Sequence, residues 1–371
     1  MYQDDARDAQ AAQSAAPDAA RFARRLLAWY DAGHRALPWR DTDDPYAIWV
    51  SEIMLQQTRA ETVVGYYHRF LCAFPTVRAL AEASPQAVLK CWEGLGYYSR
   101  ARNLQRAAQQ VVQAHGGRMP DTAEGLRALP GIGDYTAGAV AAIAFGRRVA
   151  AVDGNVERVV SRACGIREEV TVPSVRRAIR AAAAALVPAR RAGDYTNAIM
   201  ELGACVCVPG TPDCARCPVA ALCDAAAAGD ADMLPVKQRA RMPRTEARGV
   251  AVVTCQGRVL VRQRTEKLLG GLWEFPHALG AQDADALGGA LAARGVRARW
   301  VRALGEARHV FTHIIWEMRL HLFEAEDGQP APEGMRWVDE AGLEALPVPT
   351  ALRAARREAM ACLRGEPGKE A

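Results

Sequence analysis

Two carboxylates and four thiols carry the chemistry that this sequence suggests. Glu52 lies in the run PYAIWVSEIMLQQTRAETVVGYYHRF, four residues after Ile48 and three before Leu55. If the run is helical, those offsets put its carboxyl on a face shared with apolar groups. Burial raises a carboxyl's pKa and makes it a candidate general acid. A Glu turned to solvent is the alternative. Asp153 falls in LPGIGDYTAGAVAAIAFGRRVAAVDGNVERV, Leu129 to Val159, behind a Gly131-Ile132-Gly133 turn. The glycines permit backbone that a β-carbon would block. Gly133-Asp134 before an apolar run reads as a helix start, where free backbone amides make a phosphate site. The segment is either a hairpin that grips a nucleic-acid backbone and aims a carboxylate, or a plain helical turn with a capping Asp.

The four thiols follow as Cys207-x6-Cys214-x2-Cys217-x5-Cys223. Pro209, Pro212 and Pro218 keep the connecting chain in turns. Four cysteines so close can surround a cubane iron–sulfur cluster. Zinc is the runner-up, because four-cysteine zinc sites more often use two Cys-x2-Cys pairs. Of the ten cysteines in the chain, Cys205 stands outside this spacing and is expected in the core. A cluster of this kind points to metal rather than disulfides in a cytosolic protein.

The elements that must position these groups read as mostly helical as far as about Gly229. Phe22, Leu26, Trp29 and Tyr30 share a face of a first helix. Asp44-Pro45 looks like an N-cap with Pro at the first helical position, opening one long helix through the Glu52 run. Within it Gln56, Gln57 and Thr58 suit either a polar face or contact with base edges. Helices are also expected on both sides of a Gly94–Tyr98 break, over about 134–145, over about 174–186 and over about 194–205. Residues 230–248 read as a basic linker, either a strap along a nucleic-acid backbone or a solvated tether. From Gly249 the period becomes that of strands. VAVVTCQGRVLVRQR is a hairpin turning at Gln256-Gly257. Further strand patterns at 300–308, 314–323 and around Trp337, with helices at 284–294 and from Thr350, make a separate α+β domain.

Length and composition bound the rest. The chain has 371 residues, enough for two domains, and a formal net charge of +5, which permits nucleic-acid binding. It has four lysines against 43 arginines, which limits any mechanism that needs an amine. No apolar run is long enough to span a membrane. Residues 1–17 lack the pattern of a secretory signal and are expected to be a disordered tail.

The cysteine spacing, the LPGIGDYTAG hairpin and VDGNVERV together resemble the endonuclease III superfamily of helix-hairpin-helix DNA glycosylases. LPWR, PYAIWVSEIMLQQTR, WEGLGYYSRARNL and VDGNVERVVSR narrow this to the adenine DNA glycosylase (MutY) family. The resemblance runs from about Phe22 to Asp224 and continues into the C-terminal domain. It implies a mainly α helix-hairpin-helix glycosylase domain over 18–229, with the hairpin at about 129–155 and one [4Fe-4S] cluster on Cys207, Cys214, Cys217 and Cys223. A MutT-like (Nudix) α+β domain follows over 249–365. The implied activity is hydrolysis of adenine mispaired with 8-oxoguanine or guanine in double-stranded DNA, in base excision repair. The base must leave the stack to be reached.

The resemblance also assigns residues. Glu52 would protonate adenine N7 and Asp153 would stabilise the positive sugar, with Tyr135 and Asn155 orienting them. This needs Glu52 protonated and Asp153 ionised. Arg35, Leu37 and Trp39 would line the adenine pocket, and Gly131 and Gly133 would meet the DNA backbone. Gln57 would wedge into the duplex, and Thr58, Leu95 and Tyr97 would contact the lesion or its flanks. Phe311, Thr312 and His313 match the lesion-sensing loop, with Thr312 where Ser is usual. Asn197 replaces a usual Gln or Glu. GGLWEFP, Gly270 to Pro276, carries the Nudix likeness, but the following HALGAQDADALGGALAARGV has no Glu to bind the metal of a nucleotide hydrolase. The lyases of the superfamily carry Lys where this chain has Tyr135, so a monofunctional enzyme that leaves an abasic site is expected. A bifunctional glycosylase/lyase, or a non-catalytic DNA-binding iron–sulfur module, is the alternative. The protein is expected to be monomeric, without membrane contact, and cytoplasmic (nucleoid-associated if bacterial).

Overall fold

A computed structural model describes residues 17–238 and 242–366. The expected N-terminal tail therefore lies almost wholly outside the described residues, as do Arg239 and Arg241 of the basic stretch. The chain divides into two compact units: residues 1–82 with 103–239, and residues 83–102 with 240–371.

The first unit is built from helices. The Ala19–Gly33 helix starts on an Asp18 cap and buries Phe22, Ala23, Leu26 and Tyr30. These pack with Val156, Val159 and Val160, with Ile179, Ala183 and Leu186, and with Tyr195, Ile199 and Leu202. Three further helices, Gly154–Ala163, Pro173–Leu186 and Ala192–Cys205, thus share one core with it. Gly203 lets two of them approach closely, since a β-carbon there would stand 2.6 Å from the Asn155 Cβ.

One expected element is corrected. The Glu52 run is two helices, Pro45–Leu55 and Ala60–Ala73, not one. The break falls at Gln57, whose φ of +57° is left-handed, a conformation costing a non-glycine residue roughly 1–2 kcal/mol. Asp44 caps the first helix by accepting from the Tyr46 amide, with Pro45 at its start.

The second unit is a seven-stranded mixed sheet in the order β3-β2-β1-β6-β5, with β4 also on β1 and β7 on β2. β1 (Arg244–Cys255) and β2 (Arg258–Gln263) form the expected hairpin. Gln256 and Gly257 both take positive φ, 49° and 71°, as a two-residue turn of this kind requires. β3 is Trp273–Glu274, β4 His277–Leu279, β5 Ala298–Val310, β6 Ile314–Ala325 and β7 Met335–Val338. β1 and β6 run parallel over Arg244 to Thr254, and β5 and β6 are antiparallel. Alternation along β1 sends Val250 and Val252 to one face, against Trp316, Leu352, Ala355 and Ala359. Ala251 and Val253 go to the other, against Leu287 and Leu291 of the Ala284–Ala292 helix.

Residues 83–102 belong to this second unit, although they lie within the helical half of the sequence. They supply the Pro85–Cys91 helix, the Gly94–Tyr98 turn and the start of the Ser99–His115 helix. No helix among the described residues is long and apolar enough to cross a membrane.

Candidate active site

Glu52 sits in the last turns of the Pro45–Leu55 helix and is 3 % exposed. Its apolar neighbours explain its state. Burial pushes the carboxyl up to about 7, Asp153 nearby pushes the same way, and the Tyr135 hydrogen bond and Arg40 oppose this. Tyr135 donates its hydroxyl to Glu52 Oε2 at 2.5 Å and lies 3.3 Å from Met200 Sδ. It stands in the first turn of the Asp134–Phe145 helix, the element expected over those residues. On the same helix Thr136 accepts from Gln56 Nε2 at 3.1 Å, tying the Glu52 helix to the hairpin.

Asp153 is the N-cap of the Gly154–Ala163 helix. Its carboxylate accepts from the Asn155 amide at 2.9 Å, the Val156 amide at 2.7 Å and Asn155 Nδ2 at 2.9 Å. Burial lifts its pKa, and these hydrogen bonds pull against that by favouring the anion. Asp153 is thus a capping residue, the second of the two readings the sequence left open, and its charge reaches Glu52. A buried carboxyl with one hydrogen bond that feels the charge of a second carboxyl holding three is an arrangement that can separate an acid from an anion.

Arg158 buttresses this cap. It donates to Asn155 Oδ1 at 2.9 Å, to Gly203 O at 2.7 Å and to Cys207 O at 2.6 Å. Nothing in its spacing marked it for this, although it lies within the VDGNVERV stretch. Glu201 was missed as well. It is 2 % exposed and receives Arg35 through the amide (3.1 Å), Nε (2.9 Å) and Nη2 (2.8 Å), and Arg40 through Nη2 (2.8 Å). Burial would lift its carboxyl, but these bonds outweigh that and hold it at about 2. Arg35 is thus locked by a buried partner 166 residues away. Leu37 and Trp39 are buried beside it in sequence, with Trp39 edge-on to Tyr67. Asn197 is half-buried on the Ala192–Cys205 helix that also carries Glu201.

The DNA-facing candidates of this unit are accessible. Gly131, Gly133 and Gln57 are exposed and Thr58 is half-buried. Gly133 is the N-cap of the Asp134–Phe145 helix, with no side chain capping its first amides. Gly131 has φ +76°, and a β-carbon there would meet Asn103 Cβ at 2.5 Å, so only glycine fits.

Cys207, Cys214, Cys217 and Cys223 are half-buried and unpaired by disulfides. Burial raises the Cys217 thiol to about 11, and the charges of Cys207, Cys223 and Cys214 add to this. Arg162, almost wholly buried, reaches Cys207 Sγ at 3.2 Å and the Val208 carbonyl at 2.9 Å. Among the described residues no three His, Cys, Asp or Glu side chains converge closely enough to hold one metal ion. Cys205 is exposed, not in the core as expected, because it ends the Ala192–Cys205 helix on the exposed side with Ala204, while Leu202 and Gly203 face the core.

In the second unit two of the remaining candidates, Tyr97 and Thr312, meet. Tyr97 Oη and Thr312 Oγ1 are 3.0 Å apart. Phe311 stands edge-on to buried Trp316 at 5.0 Å and to His309 at 4.5 Å. Thr312 and His313 are exposed, whereas Leu95 is buried.

A helical unit with a glycine hairpin beside paired carboxyls, and a second unit with a Nudix-type sheet, define a base excision DNA repair glycosylase. Residues 50–184 match the HhH-GPD superfamily of base excision DNA repair proteins, and residues 249–357 match the NUDIX domain. The Homo sapiens adenine DNA glycosylase is 36% identical over 396 residues, covering 90% of this chain and 72% of that protein. That of Mycobacterium tuberculosis (strain ATCC 25618 / H37Rv) is 46% identical over 196 residues, covering 52% of this chain and 64% of that protein. A solved thermostable thymine-DNA glycosylase aligns with TM-score 0.50 and 30% identity over 56% of this chain and 95% of its own. The chain belongs to the adenine DNA glycosylase family.

Proposed function

We propose that the chain flips adenine out of duplex DNA and hydrolyses its glycosidic bond, with Glu52 as acid and Asp153 as the anion facing the sugar. The observation that carries this is a buried Glu52 with a pKa near 7 that feels the charge of a capped Asp153. Protonated Glu52 gives its proton to adenine N7. The C1′–N9 electron pair then leaves with the base, and the developing positive charge on the sugar is met by Asp153. Water adds at C1′, and its proton goes to the Glu52 carboxylate, which resets the site. Tyr135 and Asn155 orient the two groups, and Arg35 is held by Glu201 to line the base pocket. Gln57, on its exposed left-handed turn, is the wedge that keeps the duplex open. The Gly131–Gly133 turn and the amides behind it bind phosphate.

The reaction stops at the abasic site. The Schiff-base amine of a lyase is replaced by a phenol at Tyr135. Lys90, the only lysine before residue 237, has its amine occupied by Glu93 at 2.7 Å and by the carbonyls of Glu344 and Leu346 at 2.5 and 3.1 Å.

Adenine opposite 8-oxoguanine is the preferred substrate, read by Phe311, Thr312 and His313 together with Tyr97, while Leu95 is buried in the turn that carries Tyr97. The Tyr97–Thr312 hydroxyl pair supports this, since two lesion-reading candidates far apart in sequence touch. Thr312 keeps the hydroxyl and adds a methyl.

One [4Fe-4S] cluster fits the donor set on Cys207, Cys214, Cys217 and Cys223. Four thiols unpaired by disulfides, with Arg162 on Cys207 Sγ and Cys214, Cys217 and Cys223 each feeling the charge of its neighbours, are the thiolate donor set that a cubane takes. When bound, the cluster would be held by these four thiolates and would tie the 207–223 loop together, while the hydrolysis described above uses only side chains. A brown colour with broad visible absorbance, bleached by acid with release of iron and sulfide, is expected; a colourless protein holding zinc overturns this assignment. For the chemistry, single-turnover adenine release is expected to fall at least a hundredfold in Glu52→Gln and Asp153→Asn, as loss of an acid–base group does. Unchanged rates in both variants would discard the mechanism.

A further inference from the structure

Lys90, Glu93 and Arg356 form a clasp that the glycosylase chemistry does not use. The Pro85–Cys91 helix is short, capped by Ser84, and carries Lys90 in its last turn. Glu93 follows just before the glycine turn. Its Oε2 accepts from Lys90 Nζ at 2.7 Å, and its Oε1 accepts from Arg356 Nη1 at 2.6 Å and from the Val348 amide at 3.2 Å. Lys90 in turn reaches the Glu344 and Leu346 carbonyls. One carboxylate therefore joins the residue 83–102 segment to two separate stretches behind the sheet. The three charged side chains are only 20–35 % exposed, so the cluster is less screened than a surface pair.

The turn that follows Glu93 is held by several contacts. Gly94, Gly96 and Tyr97 all have positive φ, 105°, 70° and 45°. Trp92 Nε1 donates to Gly96 O at 3.1 Å, and the Gly94 amide donates to Tyr98 Oη at 3.2 Å. Arg100 donates to Leu95 O at 3.1 Å and lies 5.4 Å over both the Trp92 and Tyr97 rings. A left-handed Tyr persists only where its surroundings over-determine it. A displacement at Glu93 is thus transmitted to Tyr97 rather than absorbed. Tyr97 ends this chain of contacts, 3.0 Å from Thr312.

We propose that the Lys90–Glu93–Arg356 clasp is the positioning device for Tyr97, holding it against Thr312 so that the two hydroxyls form one reading head for the oxidised purine opposite adenine. Glu93 touches no substrate and acts through Tyr97. The proposal rests on the lesion-reading role given above to Tyr97 and Thr312.

The test uses the full chain and two duplexes, with adenine opposite 8-oxoguanine or opposite guanine. The ratio of their single-turnover efficiencies is compared in wild type, Glu93→Ala, Thr312→Val and the double variant. A misfolded fraction lowers both duplexes alike and cancels in the ratio. Glu93→Ala is expected to lower the preference for 8-oxoguanine about tenfold, equivalent to ~1.4 kcal/mol. The double variant is expected to be no worse than Thr312→Val, because both changes act on one pathway. An unchanged ratio in Glu93→Ala beside a lowered one in Thr312→Val overturns the clasp and leaves the reading head standing. Losses that simply multiply in the double variant also overturn it. An unchanged ratio in Thr312→Val removes the reading head itself, and the clasp's role with it.

Discussion

Replacing Glu52 by Gln is expected to stabilise the protein, and by an amount that depends on pH. The carboxyl rises from an ordinary 4.5 to about 7 through burial. At 1.36 kcal/mol for each tenfold change in proton affinity, an ionised Glu52 costs the folded state about 3 kcal/mol. The sign follows from linkage. The folded state binds the proton more tightly than the unfolded chain, so stability is highest below the unfolded pKa of 4.5. It is lost as pH rises to about 7 and is level above that. Gln mimics the neutral acid at every pH. The stability gap between Glu52→Gln and wild type is therefore expected to widen by about 2–3 kcal/mol between about pH 5 and pH 8. At roughly 2–4 °C per kcal/mol for a unit of this size, Tm in the variant rises relative to wild type by about 5–10 °C across that range. Thermal denaturation of both proteins in matched buffers measures it. A gap that does not change with pH would show that Glu52 is not held neutral by its surroundings, and the acid role would lose its basis.

Three further outcomes are expected. Tyr135→Phe removes the hydrogen bond that favours ionised Glu52, so the alkaline limb of the pH–rate profile moves to higher pH; a shift to lower pH contradicts the assignment of donor and acceptor. Glu201→Gln leaves Arg35 and the buried Arg40 short of a counter-charge and is expected to cost about 3–5 kcal/mol in denaturant unfolding near neutral pH. Because the Glu201 carboxyl is held at about 2, its contribution is present above 4.5 and shrinks as pH falls toward 2, so a penalty that grows on acidification contradicts it. Gly131→Ala combines a left-handed φ with a β-carbon 2.5 Å from Asn103 Cβ and is expected to cost about 1–3 kcal/mol and weaken duplex binding; full affinity with full stability would show that the turn does not hold the phosphate.

Much of the site was legible because local rules carry it. Apolar spacing around Glu52 left burial and a solvent-facing carboxyl both open, and the structure shows burial; the glycine turn marked the start of the Asp134–Phe145 helix, and Gln256-Gly257 marked the hairpin of β1 and β2. Long-range pairing was not legible. Glu201 meets Arg35 across 166 residues, and no sequence period reports such a contact. The break at Gln57 was hidden because apolar spacing continues through it, while a single left-handed residue turns the chain. Cys205 was misplaced for a related reason: composition suggested the core, but a helix end sets exposure by direction. The grouping of residues 83–102 with the sheet rests on Glu93, Gln86 and Arg102 reaching Val348, Gly271 and Gly270, partners that only the folded chain brings near.

What the paired carboxyls do to an A:8-oxoguanine duplex decides the mechanism. A single-turnover reaction stopped without alkali, with free adenine and strand length both read, tests it most directly. Wild type is expected to release adenine and leave the strand whole, and Glu52→Gln to do neither chemistry at a measurable rate. Adenine release that persists in Glu52→Gln, or a strand nicked in step with release by wild type, would contradict it.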